Sequence, residues 1–424
     1  MMNRYSYLIG VAAALMITPV IADDQGWGAW DDEPEVYSPW QAISGFAEAG
    51  LGYRTQSDTA GLGRDTLQEA RVRVESGYQG DDLTATLRGD LRFDAVVEGW
   101  EVDLRDLSLS YRLSAMDIKA GRQVLTWGTG DYLFLNDLFA KDWQAFFSGL
   151  DDEYLKAPMN AVRTNWYSQY ANFDFIWMPQ FESDNYLTGD RFSFFDPIQG
   201  EQVAPGFDAD EPNEDVWAAR VYGTRNQMEW AIYGYWGYTG QPLASSPEGR
   251  PAFAELHAYG ASVLMPVGAG LLNLETSFHK IRDQDNGNNP LQPLDTLLGL
   301  IGYQQELITN LTLGLQYQIE HRLDYDSHRQ VTPVPEQYAM DRNRHLTTLR
   351  LDYRAYQERL TLTLFSFYSP SDNDFYLRPQ TSYRLDDNWF IAAGFNLLNG
   401  EKDHTFFGQM ADNSNGWLRL RYYY

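Results

Sequence analysis

The sequence predicts an all-β fold: a single antiparallel transmembrane β-barrel of about 18 strands, with 16 as the alternative. Three observations carry this. From Trp40 onward the chain breaks into stretches that alternate apolar and polar residues. The connectors between them sort into short and long classes. The polar faces hold many charges, which a soluble core accepts only when each is satisfied.

The strands are expected at 41–55, 66–79, 82–95, 101–112, 115–127, 158–168, 170–179, 214–225, 227–238, 251–265, 269–281, 295–306, 309–321, 343–356, 358–370, 374–384, 388–399 and 415–424. The even count puts both ends of the barrel on one side of a membrane. Tight turns fall at 79–82, 113–115, 267–268, 356–357 and 386–387. Long connectors fall at 128–157, 180–213, 239–250, 282–294, 322–342 and 400–414. A barrel sorts its loops in this way, with short turns at one end and long loops at the other.

Individual strands show the two faces. In 82–95, Leu83, Ala85, Leu87, Leu91 and Phe93 share one face, and Arg88, Asp90, Arg92 and Asp94 take the other. In 66–79, Val72 and Val74 oppose Arg71, Arg73 and Glu75. In 343–356, Leu349, Leu351 and Tyr353 oppose Arg350, Asp352 and Arg354. In the last strand Leu418, Leu420, Tyr422 and Tyr424 oppose Trp417, Arg419, Arg421 and Tyr423. The fourth strand breaks step at Arg105-Asp106, which reads as a β-bulge. A charge turned toward lipid costs a few kcal/mol near the midplane, so the arginines are expected to face the lumen. The first and last strands must then pair to remove both edges.

Composition fits. The 424 residues carry a net charge of -27, no cysteine and 15% aromatics, including 28 tyrosines and 13 tryptophans. Tyrosine and tryptophan suit a membrane interface, where one edge meets lipid and the other water. A mean hydropathy of -0.46 argues against a bundle of membrane helices. At the N-terminus, Arg4, an apolar run to Val20 and small residues at Ala22 read as a signal peptide over 1–22. Residues 23–39 are acidic, hold Trp27 and Trp30, and read as a periplasmic lead-in. The barrel then occupies 40–424, in a bacterial outer membrane with long extracellular loops.

The candidate site lies in the lumen. Arg71, Arg73, Arg88, Asp90, Arg92, Arg350, Arg354, Arg419 and Arg421 are placed on its wall. Two readings compete: arginine–carboxylate forks that stiffen the wall, or a track for an anionic solute such as a carboxylated sugar or fatty acid. The near balance of signs favours the first. The connector 128–157 is too apolar for a solvated loop, with Leu133, Phe134, Leu135, Phe139, Trp143, Phe146 and Phe147. It is expected to fold into the pore, to form a short helix capped by Asp137, and to present Asp131, Asn136, Asp137, Lys141, Asp142 and Trp143 at a constriction. The competing reading packs it on the rim.

Other chemistry finds little support. The acidic connector 180–213 matches no calcium-loop spacing and reads as a solvated rim that disfavours nucleic acid. The six histidines form no metal-binding pair, and no Gly-x-Ser-x-Gly elbow occurs, so no enzyme, metal or cofactor is expected.

The run Ala120-Gly121-Arg122-Gln123-Val124-Leu125-Thr126-Trp127-Gly128, followed by Asn136-Asp137-Leu138, resembles a motif of large proteobacterial outer-membrane families. One is an uncharacterised barrel family found near resistance–nodulation–division transporters; the other is the alginate-export porin family. The aromatic closing strand resembles the assembly signal of outer-membrane barrels. These resemblances imply a monomeric outer-membrane β-barrel channel that meets lipid and the barrel assembly machinery. The alternative they leave open is a non-channel component of an export or lipid-transfer assembly, working with a periplasmic or inner-membrane transporter partner.

Overall fold

The computed structural model describes residues 40–424. The expected signal peptide and the 23–39 lead-in lie outside the described residues. Eighteen long strands form one closed antiparallel sheet. They are β1 (Ser44–Arg54), β2 (Asp65–Gln79), β3 (Leu83–Asp94), β4 (Gly99–Leu113), β5 (Met116–Val124) and β6 (Pro158–Trp166). Next come β7 (Asn172–Met178), β8 (Val216–Arg225), β9 (Met228–Tyr238), β10 (Glu255–Val267), β11 (Gly270–Ile281) and β12 (Thr296–Ile308). The circle ends with β13 (Leu311–Arg322), β14 (Asn343–Ala355), β15 (Leu360–Ser369), β16 (Asp374–Arg384), β17 (Trp389–Gly400) and β18 (Asn415–Tyr423). The strand count is therefore 18 and not 16.

Each strand pairs with its sequence neighbours, and β1 pairs with β18 from Phe46↔Tyr423 to Arg54↔Asn415. That closure leaves no sheet edge at the chain ends. Turns of a few residues join the strands at one end, such as 113–116, 225–228 and 267–270. The other end carries the long connectors 125–157, 179–215 and 323–342.

The outer face is apolar. Val102 is 71% exposed, Leu109 57% and Leu418 46%, whereas Arg71, Arg73, Arg419 and Arg421 on the opposite face are all below 7%. Among the described residues no helix is long and apolar enough to cross a membrane. Strands do it here: outside residues 99–106 of β4, the barrel satisfies its backbone from strand to strand, which an apolar medium demands.

The bulge expected in β4 is present. Arg88 pairs with Asp106 and Gly89 with Leu104, which leaves Arg105 as the extra residue. Arg105 turns to the buried face at 4% exposure. The bulge thus re-aims one guanidinium without disturbing the apolar outer row.

Candidate functional site

The connector 125–157 enters the barrel because its apolar residues bury there. Leu133, Leu135, Phe146 and Phe147 join a cluster with Phe365, Phe367 and Tyr376 from β15 and β16 and with Leu398 from β17. Leu125, Trp127 and Phe139 join another with Ile176, Val216 and Tyr233. One helix, α1 (Trp143–Ser148), forms inside. Its cap is Asp142, whose side chain accepts from the Ala145 N–H at 2.7 Å; Asp137 does not cap it. The helix ends at Gly149, in the left-handed region at φ 90° and pressed on the Trp417 ring. No residue with a Cβ fits there without displacing that ring.

Charged side chains tie this segment to the wall on every side. Arg73 donates to Asp90 at 2.6 Å, to Glu153 at 2.8 Å and to the Tyr154 hydroxyl at 2.8 Å. Arg105 donates to the carbonyls of Glu153 and Lys156 at 2.9 and 2.8 Å. Arg350 grips Asp131 at 2.9 Å, and Arg378 grips Asp152 at 2.9 Å. Arg419 and Arg421 lie 3.3 and 3.4 Å from Asp151 and also approach Glu48. Asn396 and Asn415 both donate to the Phe147 carbonyl at 2.9 Å. Glu275 on β11 accepts from the Thr129 N–H and from Asn136.

The motif residues serve the same attachment. Trp127 donates its indole N–H to Asp174 at 3.0 Å. Thr126 donates to Asp137 at 2.8 Å, and Lys141 reaches the same carboxylate at 3.0 Å. Asn136, Asp137 and Lys141 are therefore buried against the wall at 5% exposure or less, turned away from water. Trp143 stacks on Phe147 and borders a small aromatic hollow of about 180 Å³ with Phe194, Phe207 and Phe406. Of the other wall arginines, Arg71 is held by Glu69 and Asp90, and Arg92 by Glu69 and Glu101. Arg88 is half-exposed beside Glu75, and Arg354 stands exposed at the short-turn end.

The acidic connector is not a solvated rim throughout, which corrects that expectation. Phe181, Phe192 and Ser193 are buried at 2% or less because Phe181, Tyr186, Phe192 and Phe195 need cover. Its Arg191 pairs with Asp94 of β3 and donates to the Thr66 carbonyl at 2.7 Å. Asn413 braces Ser193, accepting from its N–H at 3.2 Å and donating to its carbonyl at 2.7 Å. Asp184 accepts from the Lys141 N–H at 2.9 Å and from the Trp143 indole at 2.8 Å, which joins the two infolded segments. Burial raises the pKa of the Asp184 and Asp142 carboxyls. Among the described residues no cluster of metal-ligating side chains occurs.

Between the two segments and β2–β5 lies a polar cavity of about 450 Å³. Glu69, Arg71, Arg92 and Arg105 line it from the wall, Asp142, Gln144 and Tyr154 from the first segment, and Glu182, Asp184, Asp190 and Arg191 from the second. Sequence reasoning missed Arg105, Arg122, Glu182, Asp184 and Arg191. The bulge at Arg105 and the aromatics around Arg191 were the available signals.

No protein family and no curated protein matches this chain. Solved structures do. The chain is similar to Pseudomonas aeruginosa OccD3 (OpdP), with 10% identity, a TM-score of 0.52 and 92% of each chain covered. It is similar to Acinetobacter baumannii OccAB3, with 8% identity and a TM-score of 0.55 over 90% of this chain and 98% of that one. It is also similar to Pseudomonas aeruginosa OccK2 (OpdF), solved in complex with glucuronate, with 10% identity and a TM-score of 0.54 over 90% and 96%. These likenesses establish the fold, that of bacterial outer-membrane β-barrels.

Proposed function

We propose that the protein is an outer-membrane channel. A small polar solute passes through the polar cavity, at a constriction set by residues 125–157 and 179–215 against the arginine- and carboxylate-bearing wall of β2–β4. One observation carries this reading: the connectors 125–157 and 179–215 pack inside a closed barrel on buried aromatic residues, yet the space between them is charged and holds about 450 Å³. A plug whose only task is stability would fill that space with side chains. Fixed charges of both signs in a narrow passage select solutes by their charge and dipole. The relative solved with glucuronate binds an anion. In this chain every arginine of the passage already faces a carboxylate, so no cargo is carried over from it.

Planar-bilayer recording tests the proposal. The intact protein is expected to give small, discrete conductance steps. Deletion of residues 129–156 should enlarge them several-fold, because it removes the larger obstruction. Absence of conductance from both proteins would end the channel reading.

A further inference from the structure

The barrel wall has a seam. β4 pairs with β3 along its length, from Gly99↔Asp94 to Leu83↔Tyr111. With β5 it pairs only from Leu107↔Arg122 to Leu113↔Met116. The chain leaves the wall after Val124 and turns inward, so residues 99–106 of β4 have no strand on that side. The outward residues along this edge are Trp100, Val102 and Leu104, exposed by 65, 71 and 36%. An apolar row of this kind belongs in lipid. A bare strand edge at membrane depth is tolerated only where protein covers it or where it borders a water-filled cavity, since each unmet backbone group costs several kcal/mol.

The polar cavity lies behind that edge. Its lining includes Glu101, Asp103 and Arg105 on β4 and, across the seam, Arg122 and Pro158. Register places Arg122 on the outer face, paired with the exposed Leu107 and with Asn160. From there its guanidinium crosses the seam: Nε donates to the Leu104 carbonyl at 2.8 Å, and Nη1 holds Glu182 at 2.8 Å. Glu182 in turn accepts from Asn160. Arg122 thus latches an opening whose inner side is polar and whose outer side is apolar.

We infer that the seam between β4 and β5 is a lateral portal, through which a single-chain amphiphile with an amine headgroup moves between the cavity and the outer lipid leaflet. The headgroup follows from charge. The cavity lining has eight carboxyl groups against five arginines; with the buried Asp142 and Asp184 set aside, six carboxylates still outnumber the arginines, an excess that favours a cation and repels a fatty-acid carboxylate. The tail follows from the row Trp100, Val102 and Leu104, which runs along the opening.

The chain has no cysteine, so single-cysteine variants report one place each. Leu104→Cys and, as control, Leu109→Cys are reconstituted in liposomes and treated with a water-soluble, membrane-impermeant maleimide. Both sites face outward, but Leu109 is paired on both sides, with Ala85 and Ala120. The portal predicts labelling at 104 and none at 109, with faster labelling at 104 when Arg122→Ala removes the latch. Dodecylamine should slow labelling at least about tenfold more than butylamine, through burial of its added methylenes, and more than dodecanoate. Equal labelling at the two sites, no labelling at 104, protection by butylamine as strong as by dodecylamine, or stronger protection by dodecanoate would each overturn the inference. If Leu104→Cys does not fold, Val102→Cys reads the same edge.

Discussion

Residues 125–157 are tied to the barrel wall by many charges, and residues 179–215 by apolar burial with two ion pairs to the wall, Arg191–Asp94 and Arg122–Glu182. The first segment meets Arg73, Arg105, Arg350, Arg378, Arg419 and Arg421, spread over five strands. The second rests on Phe181 and Phe192 and sends a single buried cation, Arg191, to Asp94. The difference teaches where rigidity resides. Many charged ties fix one geometry, because each has a direction. Apolar contact fixes only a volume, so the second segment is the part better suited to yield.

The contrast can be broken first at Arg73. Arg73→Ala leaves Asp90 facing only Arg71 and frees Glu153 and Tyr154. It should cost about 3–5 kcal/mol, as removal of one partner from a buried pair does. Urea unfolding in detergent micelles measures it, and a loss under about 1 kcal/mol would show that the charged ties are not what holds the first segment.

Arg191→Ala comes next. Its expected cost is about 3 kcal/mol, from the lost Arg191 pair, which leaves Asp94 only Arg92 at 3.7 Å, and from the unmet Thr66 carbonyl. The damage should stay local: limited proteolysis ought to cut within 179–215 and spare 125–157. Equal cleavage of both segments would show that they move as one body.

Gly149→Ala sharpens the comparison on the first segment alone. A Cβ at φ 90° is strained, and it would collide with the Trp417 ring. A cost of about 1–3 kcal/mol and a shift in Trp417 fluorescence are expected. An unchanged emission spectrum would mean that the helix end does not rest on that ring.

The smallest effect lies where the two segments touch. Burial raises the Asp184 carboxyl's pKa above its unfolded value. The folded state therefore binds this proton more tightly. Stability falls as pH rises from the ordinary carboxylate range through the raised value, and acidification restores it. Hydrogen exchange around 184–186 should slow modestly on acidification, after correction for intrinsic rates, and Asp184→Asn should flatten that dependence. A dependence that survives in Asp184→Asn would place the titration elsewhere.

Much of the fold was legible because a barrel writes period two into every strand. All 18 stretches, the closing pair and the bulge at Arg105 follow from alternation and from sorted loop lengths. The infolding of 128–157 was legible too, since Phe146 and Phe147 needed burial. Individual roles within it were not. The sequence pointed to Asp137 as the cap, and only the path of the chain through Lys141 made Asp142 the cap. The buried centre of 180–213 was masked by its acids, because aromatic residues spaced through a charged loop have no period to reveal them.

The sequence by itself determined the class of molecule: closed, membrane-spanning, apolar outside and arginine-rich inside. The reason is local, since each strand's two faces are set by its own residues. Only the tertiary structure decided what the charges do. Arg71, Arg73, Arg419 and Arg421 could have faced open water. Instead each meets a carboxylate brought from a distant segment or a neighbouring strand. Such pairings depend on how a loop folds back through the barrel, and that path follows from the fit of many side chains at once.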